Sequence, residues 1–105
     1  MMPMGEFTAA LKTSELPEGS MVAVDPGGVH ILLSNLGGEV FAVAGTCTHE
    51  EADLGLGFKL DGRVTCPLHL SQFDLRTGAV LNEPASEPLK TFKVKIQGET
   101  IYVEV

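Results

Sequence analysis

The sequence predicts an all-β protein built from antiparallel strands, and three observations carry that expectation. Short apolar segments rich in Val, Ile and Phe recur along the chain, interrupted every few residues by Gly, Pro or Asp. No window shows apolar residues at a helical period. Near the C-terminus, Lys93-Val94-Lys95-Ile96 and Ile101-Tyr102-Val103-Glu104-Val105 alternate polar with apolar, as a hairpin with one face in the core requires.

Taken in order, strands are expected at Phe7 to Ala10, Met21 to Asp25, His30 to Asn35, Glu39 to Ala44, Arg63 to Cys66, Gln72 to Leu75, Ala79 to Leu81, Leu89 to Ile96 and Thr100 to Val105. Between them, Asp25-Pro26-Gly27-Gly28, Leu36-Gly37-Gly38, Arg76-Thr77-Gly78 and Gln97-Gly98-Glu99 supply residues that tolerate the positive φ of tight turns. Gly55, Gly57 and Gly78 are read as answering backbone needs in turns. Phe58, Phe73 and Leu54 are assigned to the core, and His30, inside an apolar strand, is read as an ordinary packed or edge histidine. Two stretches break the strand rhythm: a loop over about 45–57 and another over 66–71. A third, 82–88, holds Pro84 and Pro88 and should be a stiff wall beside the first two.

The 105 residues, 44% hydrophobic and 20% charged, suit one domain spanning 1–105 with a single modest core. Fourteen acidic against seven basic residues give a net charge of −7, the wrong sign for binding nucleic acid or an anionic membrane. Solubility is the main reading of that charge. Met1-Met2-Pro3-Met4-Gly5 lacks the basic and apolar regions of a secretion signal, and no stretch approaches the ~20 apolar residues that span a bilayer. A cytoplasmic location is expected. In a reducing compartment, two cysteines each followed closely by a histidine point to metal rather than to a disulfide.

The spacing is Cys47-x-His49, sixteen residues, then Cys66-x-x-His69. Each loop contributes one thiolate and one imidazole, so the pair can offer sulfur donors on one side and nitrogen donors on the other. Two metal atoms with different ligand sets suit that donor arrangement, as in a 2Fe-2S cluster in which two His replace two Cys on one iron. Two ferric irons and two sulfides leave about +2, and two thiolates bring the oxidised centre near neutrality, where adding an electron costs less than at a four-Cys cluster. A structural zinc site, giving a zinc-stabilised Cys2His2 binding module without redox function, is the alternative. Zinc motifs usually pair Cys with Cys and His with His, whereas here each loop mixes the two.

Cys47-Thr48-His49 and Cys66-Pro67-Leu68-His69, followed by Phe73-Asp74-Leu75-Arg76-Thr77-Gly78, Pro84-Ala85, Pro88-Leu89 and Ile101-Tyr102-Val103, resemble the Rieske family over nearly the whole chain. The resemblance implies an antiparallel β-sandwich with a small cluster-binding subdomain of two loops at one tip. It places Cys47 and Cys66 on an inner iron and His49 and His69 on an outer iron facing the redox partner. One 2Fe-2S cluster and no catalytic residue are implied: a one-electron carrier, passing electrons from a reductase to a terminal oxygenase or other oxidoreductase, and a monomer in isolation. A two-His-one-carboxylate iron site would need further histidines, and His30 is the one left.

Family members from bc complexes carry a disulfide between the cluster loops, but the corresponding positions here look like Ala52 and Leu68. Those members also tend to place tyrosine and serine hydroxyls as donors to the cluster. This chain keeps Ser71, read as such a donor or as a loop cap, and has Phe73 in place of the tyrosine. Fewer donors stabilise the reduced state less, so the chain resembles the soluble ferredoxins of aromatic-ring hydroxylating dioxygenases, with a potential expected near roughly −150 mV. Leu70 stands where the family usually has glycine, so either the loop bends differently or Leu70 adds an apolar contact beside His69 and alters the docking face; ligation is unaffected. Glu50 and Glu51 are read as solvated loop charges, with docking of a basic reductase as the alternative.

Overall fold

In the computed structural model, which describes residues 6–47, 53–60, 62–67, 71–81 and 87–105, the alternating segments pair as three antiparallel sheets. The strands are β1 (Phe7–Lys12), β2 (Met21–Val24), β3 (Ile31–Leu36), β4 (Glu39–Ala44), β5 (Phe58–Leu60), β6 (Arg63–Thr65), β7 (Gln72–Asp74), β8 (Thr91–Phe92), β9 (Val94–Gln97) and β10 (Thr100–Glu104). Their orders are β1-β10-β9, β2-β3-β4-β8 and β5-β6-β7. The rest of the regular structure among the described residues is three single 3-10 turns, Thr13–Glu15, Pro26–Gly28 and Leu54–Leu56. The all-β antiparallel expectation is met.

The run Ile31-Leu32-Leu33 explains how the sheets stack. A strand buried on one face alternates polar with apolar, whereas a run that is apolar throughout suits burial on both faces. Leu32 and Leu36 join one core cluster, which holds Cys47, Leu54, Val64, Cys66, Phe73, Leu75 and Leu89. Ile31 and Leu33 join the other, with Leu16, Ala42, Ile101 and Val103. The four-stranded sheet is therefore the shared middle layer. One face packs on β1-β10-β9 and the other on the small β5-β6-β7 sheet that carries Cys66.

β4 matches its expected limits, and its hairpin to β3 turns through Gly37 (φ 67°) and Gly38 (φ 93°), with Leu36 opposite Glu39. Three expectations need correction. The stretch Leu89 to Ile96 is not one strand: β8 pairs with β4, whereas β9 pairs with β10 in the other sheet. Leu89 packs in the Cys-containing cluster and Val94 against the opposite one, so the chain changes layer at Lys93. Ala79 to Leu81 forms only an isolated bridge, Val80 to Phe73. β5 had no counterpart among the expected strands, and it lies directly after the first loop.

Gly57, directly before β5, has φ −84°, so handedness is not what requires glycine there. A Cβ would run into the Thr65 carbonyl oxygen across the β5-β6 pair. Gly57→Ala should therefore destabilise the protein by about 1–3 kcal/mol, as an overpacked site does, read as a lowered denaturant midpoint at unchanged slope. Gly78 does need its positive φ (76°), in the turn where Asp74 Oδ1 accepts the Arg76 and Thr77 amides at 2.7 and 3.1 Å. Residues 82–86 of the proline loop, including Pro84 and Ala85, lie outside the described residues.

Candidate metal centre

Both candidate loops are closed at the base by backbone hydrogen bonds, so each is held where its ends meet the sheet. In the first, Thr46 bridges Asp53 and the Leu54 amide donates to the Gly45 carbonyl at 2.8 Å, bracketing residues 47–52. In the second, the Cys66 amide donates to the Ser71 carbonyl at 2.7 Å, enclosing residues 67–70. Each cysteine thus occupies the rooted start of its loop. Each histidine follows it within the loop by sequence, and His49 and His69 themselves lie outside the described residues, as do Glu50, Glu51, Ala52, Leu68 and Leu70.

Cys47 is 4% exposed and Cys66 0%, and both belong to the same buried cluster with Leu54, Phe73 and Leu75. They are not joined by a disulfide. Two thiolates in such an apolar setting would be costly unless a cationic centre compensated their charge. The two cysteines therefore fit a metal group ligated by sulfur, with Leu54 and Phe73 packed in the same core cluster as expected. Ser71 is fully buried at the foot of the second loop, its carbonyl taking the Cys66 amide.

His30 departs from expectation. It precedes β3 rather than lying within it, and its ring spans two carboxylates: Nδ1 is 2.7 Å from Asp25 Oδ1 and Nε2 is 2.9 Å from Asp53 Oδ1. The same Asp53 oxygen accepts the Gly55 amide at 2.8 Å, capping the 3-10 turn Leu54–Leu56. Hydrogen bonds to Asp53 and then Asp25 raise the His30 pKa above the ordinary histidine value. The bond to His30 holds Asp53 below the usual carboxylate range, with the Gly55 amide adding to it against partial burial. Sequence reasoning did not single out Asp25 or Asp53, because these partners lie 5 and 23 positions from His30. A shallow cleft of about 400 Å³ along Lys90, Thr91, Phe92, Lys93, Glu104 and Val105 includes neither cysteine.

Two buried thiols, each at the start of a loop closed by backbone hydrogen bonds and both in one core cluster, suit a sulfur-ligated metal centre. The family model described as the Rieske 2Fe-2S domain matches residues 6–93. The chain belongs to the Rieske family, and its cofactor is one Rieske-type 2Fe-2S cluster. It is 38% identical over 99 residues to the biphenyl dioxygenase ferredoxin subunit of Pseudomonas sp. (strain KKS102), covering 93% of this chain and 91% of that protein. The solved ferredoxin of carbazole 1,9a-dioxygenase from Nocardioides aromaticivorans IC177 superposes with a TM-score of 0.86 at 31% identity, covering 93% of this chain and 96% of that one. A chain of a solved complex of reduced oxygenase and oxidized ferredoxin in carbazole 1,9a-dioxygenase matches with a TM-score of 0.86 at 26% identity, covering 93% and 92%. Such relatives are electron-transfer components of dioxygenase systems rather than catalytic subunits, and this chain is an electron carrier of the same kind. The zinc-module alternative falls with the family assignment. No helix among the described residues is long and apolar enough to cross a membrane.

Proposed function

We propose that this chain is the soluble, cytoplasmic ferredoxin of a ring-hydroxylating dioxygenase system, taking one electron at a time from a reductase and delivering it to a terminal oxygenase. The cluster would be held by Cys47, His49, Cys66 and His69 within one domain spanning 1–105, and the isolated protein would be a monomer. The observation that carries this reading is the pair of buried thiols at the roots of two closed loops, each followed in sequence by one histidine. The bound cluster supplies a reversible one-electron couple at an oxidised centre that is near neutral.

The chain's own residues would do the rest. Cys47 and Cys66 would hold the cluster from within the core, where Leu54, Phe73 and Leu75 exclude water. His49 and His69 would complete the donor set. The Ser71 hydroxyl, at the foot of the second loop, would donate to the cluster sulfur and favour the reduced state. The likeness to a ferredoxin solved in complex with its oxygenase supports an oxygenase as acceptor.

Electron paramagnetic resonance of the dithionite-reduced protein, with iron and zinc assayed on the same sample, tests the reading. A rhombic signal with about two irons per chain is expected. His49→Cys should move any centre that assembles towards an all-sulfur spectrum and a lower potential, and an unchanged centre in His49→Ala would remove His49 from the ligand set.

A further inference from the structure

The His30 ring sits where the middle sheet meets the first cluster loop. Asp25 directly follows β2, and Asp53 belongs to the loop that returns from Cys47, where its backbone bridges Thr46, the residue before Cys47. Gly45 forms the floor: its amide donates to the His30 carbonyl at 3.0 Å, and a Cβ there would come within 2.6 Å of His30 Cδ2. Any side chain at 45 would displace the ring. Among the described residues, Asp25 and Asp53 are the carboxylates within ion-pair distance of it.

A neutral imidazole has one N–H and one lone pair. Between two carboxylates, the lone pair must face an oxygen that also bears negative charge, so one of the two contacts turns repulsive. The imidazolium donates at both nitrogens and satisfies both.

We propose that protonated His30 is a positioning residue for the first cluster loop, tying Asp53 to Asp25 so that loss of the ring proton loosens the loop that roots Cys47 and hastens cluster loss. The proposal rests on Cys47 being a cluster ligand. The raised His30 pKa means that this stabilisation is fully present below the ordinary histidine value and is lost as pH rises through the raised one. The lowered Asp53 pKa means that its share is present above the ordinary carboxylate value and is lost as pH falls through the lowered one. The clamp thus holds between those limits and releases on the alkaline side by deprotonation of His30.

Cluster loss from the holoprotein into a chelator, followed by bleaching of the visible absorption between about pH 6 and pH 9, tests this. At the acid end His30→Ala should lose its cluster about threefold faster than the wild type, the size expected for one partly exposed ion pair. The ratio of the two rates should fall towards unity at the alkaline end. Asp25→Asn is the second variant: its amide can donate to neutral Nδ1 while Nε2–H donates to Asp53, so the clamp persists without the ring proton. Its rate relative to wild type should therefore drop as pH rises. Nitrogen-15 NMR of the imidazole should show the His30 titration above the ordinary histidine value and shifted down in Asp25→Asn. Rate ratios that do not change with pH, in protein showing the rhombic signal, overturn the clamp alone. Wild-type protein without that signal overturns the ligand reading, and the clamp with it.

Discussion

Cys66→Ala should yield a colourless, EPR-silent chain, with iron falling from about two atoms per molecule to background. Cys66 is fully buried, and its amide closes the second loop onto Ser71, so this loop has no alternative sulfur donor to bring inward. Cys47, the only other cysteine, already roots the first loop. Stability should fall as well, because a group bound to the folded state alone adds its binding free energy to folding. The readouts are iron content, the reduced-state spectrum and thermal unfolding of the same preparation. A retained rhombic signal would remove Cys66 from the ligand set and leave the pairing of buried thiols without a purpose.

Phe73→Ala should cost about 3–5 kcal/mol, the usual range for emptying a buried aromatic site. Phe73 lies in the centre of β7, opposite Val64 and bridged to Val80, with no exposed surface, in the cluster that contains both cysteines. A domain of this size holds about 5–15 kcal/mol in all, so the substitution would remove a large share of it and lower Tm by about 15–30 °C. Leu56→Ala is the matching control. Leu56 sits on the 3-10 turn of the first loop with 74% of its surface exposed, and its truncation should stay within about 0.5 kcal/mol. Chemical denaturation followed by circular dichroism measures both. Equal effects would mean that the small sheet is not packed on the middle layer through Phe73.

Local chemistry makes part of the fold legible in the amino-acid sequence. β4 and the turns through Gly37-Gly38 and Gly98 stand where alternation and glycine put them. The candidate ligand boxes stand out for a different reason: Cys-x-His and Cys-x-x-His carry donor chemistry whatever the surrounding conformation, and the two cysteines lie together in one buried cluster. β5 is not legible, since three residues are too few to show a period and their pairing to β6 depends on Gly57 passing the Thr65 carbonyl.

By itself, then, the sequence determined the all-β class, most of the strand-forming segments with their turns, and the family, because each depends on residues a few positions apart. Tertiary structure alone decided which sheet each segment entered. The pattern from Leu89 to Ile96 suits a strand in either layer, and only the packing of Leu89 on one side and Val94 on the other parts it at Lys93. It also decided what His30 is. A histidine beside an apolar run has no local mark of its role, and two carboxylates 5 and 23 positions away acquire one only when folding brings them to its two ring nitrogens. Electrostatic coupling depends on distance in space, and the chain encodes that distance only through its whole packing.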